Sequence, residues 1–123
     1  MLGAVGDLGE NLACAVLRQR GYEVIERNWR PRLRDTRGEI DIVARDGDCW
    51  VFVEVKTRRG RRTGLPEEAM TSHKLAVVTE LARDYLYERS LGEVTWRIDL
   101  VAVELDARKV VQRIELVPAL ALE

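Results

Sequence analysis

Polar and apolar positions alternate along two neighbouring stretches in the first half of the chain. The apolar positions are Ile40, Ile42 and Ala44 in the first stretch and Val51, Val53 and Val55 in the second. A period of two is typical of β-strands. The segment 46–48 between them reads Asp-Gly-Asp, and Asp-Gly flanked by alternating residues favours a tight hairpin turn. The two stretches are therefore predicted to be adjacent antiparallel strands.

The polar positions of this hairpin carry charges of both signs. They are Glu39 and Asp41 in the first strand and Glu54 and Lys56 in the second. A loop at 47–48, or at 46–49, places Asp41 opposite Glu54, whereas a loop at 46–47 makes the two acids diagonal neighbours. In either register we expect all four side chains to share one face. Like charges placed opposite each other are destabilising, and a bound cation would remove that penalty.

Lys56 adds weight to this site because the chain contains three lysines and seventeen arginines. The segment 50–53 is apolar on both faces, as in a strand covered on both sides, so Glu54 and Lys56 are predicted to continue a buried strand. A semi-buried lysine can shift its pKa and assist a water molecule, which arginine does not readily do. The alternative is a structural ion pair, Glu54–Lys56 or Glu39–Lys56, on an exposed edge.

The rest of the chain predicts a frame of two helices and three more strands. The first helix is predicted over 4–20, capped by Gly21, and the further strands are predicted at Tyr22–Arg30, Val94–Glu104 and Lys109–Val117. The second helix is predicted to be capped by Thr71 or Ser72 and ended by Gly92, with or without a short turn at 67–70 before it. The apolar side of the first helix is predicted to comprise Val5, Leu8, Leu12, Ala15 and Val16, with Glu10 at its border beside Ala13 and Leu17. The order is αβββαββ, which indicates an α+β or α/β fold with a mixed sheet.

Several segments together resemble a known family. They are Gly21-Tyr22, Arg27-Asn28-Trp29-Arg30, Gly38-Glu39-Ile40-Asp41 and Val53-Glu54-Val55-Lys56-Thr57-Arg58. The chain resembles the bacterial YraN-like family, which is similar to archaeal Holliday-junction resolvases within the PD-(D/E)xK superfamily of restriction-endonuclease-like nucleases. It departs from that pattern at Ile40, where a proline would precede the first acid, and in the length of the segment 31–37.

This resemblance implies a restriction-endonuclease-like core, with a mixed central sheet flanked by helices. It implies that Asp41 and Glu54 hold Mg²⁺ or Mn²⁺, that Lys56 orients or activates the attacking water, and that Glu10 on the first helix supports the site as a further acid. These four residues are the predicted catalytic set.

Arginines flank the predicted site on both sides. Residues 1–62 carry thirteen basic and ten acidic side chains, although the whole chain has a net charge of −1. The arginines predicted to contact nucleic acid are Arg30, Arg32, Arg34 and Arg37 before the hairpin and Arg58, Arg59, Arg61 and Arg62 after it. Arginine forks bind phosphate oxygens, so this arrangement would draw a phosphate backbone toward an acidic centre. Ordinary solvated loops are the alternative, and Trp29 is interpreted as a core aromatic rather than a base-stacking one.

Composition excludes several other classes of protein. The two cysteines and the single histidine, His73, have no zinc or nucleophile spacing, and both cysteines are interpreted as small apolar residues. The chain has no P-loop and no dinucleotide fingerprint. No apolar run approaches the length of a membrane span, so a soluble, cytoplasmic protein is expected. Asp99 is interpreted as a polar residue on a half-exposed strand.

These patterns lead to one main hypothesis and two alternatives. The main hypothesis is a Mg²⁺- or Mn²⁺-dependent DNA endonuclease of one domain, residues 1–117, with branched or junction DNA among its candidate substrates. The first alternative is a nucleic-acid-binding or partner-recruiting module that kept the fold and lost turnover. The second is an interaction protein. The apolar residues 118–123 are predicted to form a short C-terminal tail that supports a homodimer.

Overall fold

The computed structural model describes residues 4–35, 38–60 and 70–122. These residues form two helices and five strands in the predicted order αβββαββ. The helices are α1 (Ala4–Gln19) and α2 (Ser72–Glu88), and the strands are β1 (Glu23–Trp29), β2 (Ile40–Asp46), β3 (Cys49–Arg59), β4 (Trp96–Leu105) and β5 (Val111–Leu122). The predicted fold class, α+β with a mixed sheet, is confirmed.

The five strands form one sheet in the order β1-β2-β3-β4-β5. β3 and β4 are parallel, and the other three neighbouring pairs are antiparallel. Parallel neighbours need a long crossover connection, and α2 lies in that connection. The sheet is therefore a mixed one in which β3 occupies the centre.

Each face of the sheet carries one helix and one apolar core. The core beneath α1 contains Ala13, Cys14, Leu17, Tyr22, Ile42, Ala44, Val51, Val53, Val101, Val103 and Leu105. The core beneath α2 contains Trp29, Ile40, Val43, Phe52, Val78, Leu81, Ala82, Tyr85, Leu86, Trp96 and Ile98. The central strand alternates between the two cores, which explains why the segment 50–53 is apolar at every position. Neither helix combines the length and apolarity that a membrane span requires.

Helix α1 packs closely on β3 because Gly9 has no side chain. A Cβ atom at Gly9 would overlap the hydroxyl of Thr57. This contact turns the helix so that Glu10 lies within its buried face, whereas Ala15 is exposed. The prediction that Ala15 belongs to the apolar side was wrong. The spacing of apolar residues does not show that Gly9 is the point of closest contact between the helix and the sheet.

The C-terminal segment is part of the sheet. β5 continues to Leu122, whose backbone pairs with Arg97 of β4. Residues 118–122 therefore do not form the separate tail that the sequence predicted. The tail was predicted from the apolar sequence of residues 117–122. Pro118 is compatible with β5, because a proline is tolerated on an edge strand, where its missing N–H costs no ladder bond.

Helix α2 begins where the sequence predicts, but it ends earlier than predicted. Thr71 caps the N-terminus by accepting a hydrogen bond from the Lys74 N–H. The helix ends at Glu88, before Gly92, because Ser90 already adopts a positive φ of 54°. The predicted short turn over residues 67–70 lies largely outside the described residues.

Asp99 is a fully buried hydrogen-bond acceptor, which corrects its interpretation as a half-exposed residue. It accepts bonds from the Tyr22 hydroxyl at 3.0 Å, from Arg97 Nε at 3.0 Å and from the Ala119 N–H at 2.9 Å. Burial, followed by the charge of Asp99, raises the pKa of Tyr22. Asp99 therefore joins β4 to β5 and to the start of β1.

Candidate active site

The acidic centre lies where β2 and β3 separate. The two strands are paired from Asp46 opposite Cys49 to Ile42 opposite Val53. This is the register predicted for a loop at 47–48. Beyond that point the Asp41 carboxylate accepts a hydrogen bond from the Val55 N–H at 2.8 Å. A side-chain oxygen thus replaces the backbone carbonyl that a continued ladder would offer. Asp41 is held in the fork between the two strands.

The backbone departs from strand alternation on either side of this fork. Ile42 lies in the core beneath α1, whereas Ile40, two residues earlier, lies in the core beneath α2. Regular alternation would place them on one face. The break falls at Asp41, so its carboxylate lies between the strands instead of standing on the face that also carries Glu54 and Lys56.

Asp41 and Glu54 interact electrostatically in a largely dry setting. Burial, followed by the charge of Glu54, raises the pKa of Asp41 to about 7, although the hydrogen bond from the Val55 N–H lowers it. Burial also raises the pKa of Glu54, against the opposing charges of Lys74 and Lys56. Two carboxylates whose charged forms are both disfavoured are characteristic of functional sites.

Lys56 and Glu39 extend the site toward solvent. Lys56 follows Glu54 on the α2 face of β3, where its charge lowers the pKa of Glu54. Lys56 is exposed, so the expectation of a semi-buried lysine was wrong, although its neighbours Val55 and Thr57 are half-buried. Glu39 raises the pKa of both acids and pairs with Arg30 at 3.5 Å rather than with Lys56.

Lys74 is the site residue that the sequence did not identify. Its Nζ lies 3.3 Å from Glu54 Oε1, from the first turn of α2. The scarcity of lysine that drew attention to Lys56 applies equally to Lys74. The two residues are far apart in sequence, and only the β3–α2 crossover brings them together.

Glu10 lies in the buried face of α1 and is tied to β1. Its carboxylate pairs with Arg27 at 3.2 Å and accepts a hydrogen bond from Asn28 Nδ2 at 3.2 Å. Its charge raises the pKa of Asp41, by less than Glu54 does. The structure thus brings Glu10 within electrostatic range of the fork, but with its carboxylate already engaged.

Asn28 enables this arrangement through its backbone. Its φ of 53° is left-handed, a conformation that asparagine tolerates better than most residues. Two consecutive residues, Arg27 and Asn28, can then reach the same acid, while Trp29 turns to the opposite face of the sheet. Trp29 is buried, with its ring 5.0 Å from that of Tyr85 in an edge contact, which confirms its interpretation as a core aromatic.

The predicted phosphate-binding arginines fall into three groups. Arg34 pairs with Asp84 at 2.6 Å, and Arg59 donates to the Ala107 carbonyl at 2.8 Å, so both are engaged within the protein. Arg30 is exposed and weakly paired, and Arg32 and Arg58 make no side-chain ion pair with the part of the chain that the structure describes. The remaining three lie outside the described residues: Arg37, Arg61 and Arg62.

A polar pocket lies beside β1, and its lining includes Arg30, which pairs with Glu39. Its volume is about 440 Å³, and Arg27, Arg30, Arg32 and Arg89 contribute to its lining. Glu26 and Glu88 also line it, but Glu26 accepts from Tyr85 and Arg89, and Glu88 accepts from the backbone N–H groups of Arg32 and Leu33. Both carboxylates of the pocket are therefore engaged by hydrogen bonds, and Glu26 is also paired with the charge of Arg89.

The donor set of the fork suits a hard divalent cation. Within residues 4–35, 38–60 and 70–122, no three His, Cys, Asp or Glu side chains are arranged as a metal-binding group. A carboxylate pair remains, formed by Asp41 and Glu54. Mg²⁺ is commonly bound by one or two carboxylates and keeps several waters, so a pair of largely buried acids fits that ion.

The architecture defines the class of protein. A mixed five-stranded sheet with a helix on each face and an acidic fork between two of its strands is consistent with a restriction-endonuclease-like α/β core. Comparison with known families identifies the chain more narrowly. Residues 9–103 match the model of the Uncharacterised protein family UPF0102, and the chain belongs to this family, the YraN-like family of bacteria.

Relatives match most of the chain. A UPF0102 protein of Roseiflexus castenholzii is 47% identical over 116 residues, which cover 93% of this chain and 90% of the relative. A UPF0102 protein of Moorella thermoacetica is 41% identical over 112 residues, covering 91% and 90%. One of Rhodococcus opacus is 46% identical over 100 residues, covering 81% of each. The resemblance expected from the sequence motifs is confirmed.

Proposed function

We propose that the protein is a Mg²⁺- or Mn²⁺-dependent phosphodiesterase that cleaves DNA. The observation that carries the proposal is the pair Asp41 and Glu54 in the fork between β2 and β3. Both carboxylates are shielded from water, and the pKa of each is raised. A protein gains nothing in stability from two such acids side by side, but it gains a binding site for a divalent cation.

Each residue in and around the fork would have a separate role. Asp41 and Glu54 would hold the metal ion, which when bound would act as a Lewis acid on the phosphate and make a nearby water more acidic. Lys56 lies at the solvent edge of the same site and would position or deprotonate the attacking water. Glu10 would keep the negative potential around Asp41 high while staying attached to β1.

The surroundings favour a nucleic-acid substrate. Arg30, Arg32 and Arg58 are the predicted phosphate contacts that are not firmly engaged within the described protein. Their guanidinium groups would offset the repulsion between an acidic centre and a phosphate backbone, and they would stabilise charge that develops on the cleaved phosphate. The binding component is expected to weaken steeply with salt.

A panel of DNA substrates tests the proposal. Linear duplex, single-stranded, forked and four-way DNA would each be incubated with Mg²⁺ or Mn²⁺ and with the wild-type protein, Asp41→Asn or Glu54→Gln. We expect metal-dependent cleavage of at least one substrate and a loss of about 100-fold or more in either variant. Asp48→Asn removes a fully exposed acid from the hairpin turn and should cleave like wild type. Undiminished cleavage by Asp41→Asn and Glu54→Gln would refute the assignment.

One observation favours a second candidate, a nucleic-acid-binding module without turnover. Glu54 already has an internal cation, Lys74, at 3.3 Å. If that pair is permanent, the fork takes up no metal and the arginines still bind DNA. This candidate predicts salt-sensitive DNA binding whose affinity is unchanged in Lys56→Met, and no heat of metal binding in calorimetry.

A further inference from the structure

The ion pair between Lys74 and Glu54 joins the crossover helix α2 to the acidic fork. Glu54 is nearly buried, with 13% of its side chain exposed, whereas Lys74 retains 47%. Among the charges that act on Glu54, Lys74 has the largest pKa-lowering effect, ahead of Lys56. Lys74 is thus the main counterion of an acid that the proposed function assigns to metal binding.

The position of Lys74 in its helix is otherwise unfavourable for a cation. It lies in the first turn of α2, where the exposed backbone N–H groups create positive potential, and that turn contains no acidic residue. Its N–H is bound to the capping Thr71. Among the acids that the structure describes, Glu54 alone forms an ion pair with Lys74, and this pair holds the ammonium against the field of its own helix.

We propose that Lys74 is an internal counterion that occupies Glu54 while no divalent cation is bound and releases it when the cation binds. The inference rests on the proposed function, because it requires the fork to be a metal site. A divalent ion carries twice the charge of an ammonium and can contact Asp41 as well as Glu54. The half-exposed lysine can withdraw into solvent without leaving a buried charge behind.

The proposal separates the two lysines of the site. Removal of Lys74 eliminates a competitor for Glu54 and makes the fork more negative, so metal binding should tighten. Substitution of Lys74 by arginine retains the competitor, and a guanidinium can hold a carboxylate through two hydrogen bonds. Lys74→Arg should therefore bind metal no more tightly than wild type, although Lys74→Met does.

Calorimetric titration with Mn²⁺ at pH 8, without DNA, tests this directly. Lys74→Met is expected to bind about three- to tenfold more tightly than wild type, the range for removing a part-buried ionic competitor. Lys109→Met is the matched control, because it removes one exposed lysine charge at the distant β4–β5 turn. Its affinity should equal that of wild type.

Chemical labelling gives a second readout, because the chain has only three lysines. Reductive methylation requires that the amine be free to attack the aldehyde, and the contact with Glu54 at 3.3 Å restrains the amine of Lys74. Mn²⁺ should therefore speed labelling of Lys74, measured by mass spectrometry, while Lys109 serves as the internal reference.

The outcomes distinguish the counterion role of Lys74 from the metal-binding role of the fork. Tighter Mn²⁺ binding by Lys74→Met together with faster labelling of Lys74 supports the counterion role. Equal or weaker binding by Lys74→Met, with the wild type binding normally, overturns that role and leaves the metal site intact. No Mn²⁺ binding by wild type or Lys74→Met at millimolar concentrations overturns the proposed metal-dependent function, and the counterion role with it.

Discussion

Replacement of Asp41 by asparagine should stabilise the metal-free protein at pH 8. The substitution keeps the shape of the side chain, and the amide oxygen can still accept the hydrogen bond from the Val55 N–H. It removes a charge that burial and Glu54 both oppose. The expected direction is opposite to that of most substitutions of buried residues, which destabilise.

The magnitude follows from the pKa of Asp41, which rises from 3.8 to about 7 on folding. Each pKa unit corresponds to about 1.4 kcal/mol, so ionisation of this carboxyl costs the fold about 4 kcal/mol above pH 7. This pKa already includes the opposing hydrogen bond from the Val55 N–H. We therefore expect Asp41→Asn to increase the free energy of unfolding by about 2–4 kcal/mol at pH 8.

The pH dependence has a definite sign. An acid whose pKa is higher in the folded state favours folding most below its unfolded pKa of 3.8, and this contribution is lost as the pH rises toward 7. The stability of the wild type should therefore fall between pH 4 and pH 7 relative to that of Asp41→Asn. At pH 4 the two proteins should have nearly equal stability.

Urea denaturation with a chelator present, at pH 4, 6 and 8, measures the effect. Asp48→Asn serves as the control, and its stability should stay within about 0.5 kcal/mol of wild type because its side chain is fully exposed. Millimolar Mg²⁺ at pH 8 should then stabilise the wild type but not Asp41→Asn. A destabilised Asp41→Asn at pH 8, or a difference that does not change with pH, would refute the electrostatic account of the fork.

Three further predictions concern the frame that holds the site. Asp99→Ala should destabilise the protein by about 3 kcal/mol or more in thermal or urea unfolding, because it leaves the largely buried Arg97 without its main partner; a loss below 1 kcal/mol would contradict this. Gly9→Ala should lower stability by about 1–3 kcal/mol despite the higher helix propensity of alanine, through overlap with Thr57, and a stabilised variant would show that α1 packs less closely. Deletion of residues 118–123 should lower the free energy of unfolding by about 2–4 kcal/mol, because it removes part of the β4–β5 pairing and the hydrogen bond from the Ala119 N–H to Asp99. An unchanged free energy of unfolding would show that these residues behave as a separate tail.

Sequence patterns predicted the parts of the fold that depend on local periodicity. The hairpin register followed from one Asp-Gly turn and the alternation around it, and the structure confirms Ile42 opposite Val53. The order of helices and strands was correct for the same reason. Periodicity failed where a contact outside the element decides the outcome, as in the rotation of α1 by the Gly9–Thr57 contact.

In the candidate site, too, local patterns predicted neighbours within the hairpin but not contacts between separate elements. Asp41 and Glu54 lie on adjacent strands, so the hairpin alone predicts that they are neighbours. Lys74 reaches Glu54 through the β3–α2 connection, and no local pattern signals such a contact. The solvent exposure of Lys56 was also beyond prediction, because the burial of a strand end depends on what covers it.

The family motifs gain separate physical meanings from the structure. Tyr22 holds the buried Asp99, and Arg27 with Asn28 holds Glu10. These residues fix the frame, and in the chain described here they do not contact the acids of the fork. The two hairpin motifs alone supply the carboxylates. A motif-based resemblance thus combined residues that build the fold with residues that would carry chemistry.

We propose that the fork between β2 and β3 binds a divalent cation through Asp41 and Glu54. Anomalous diffraction from crystals soaked in Mn²⁺ at pH 8 would locate the bound ion. We expect one strong anomalous peak in contact with a carboxylate oxygen of each of these two residues, and its loss in Asp41→Asn. A Mn²⁺ peak elsewhere on the protein, with the Glu54–Lys74 ion pair intact and the fork empty, would show that the fork is not the metal site.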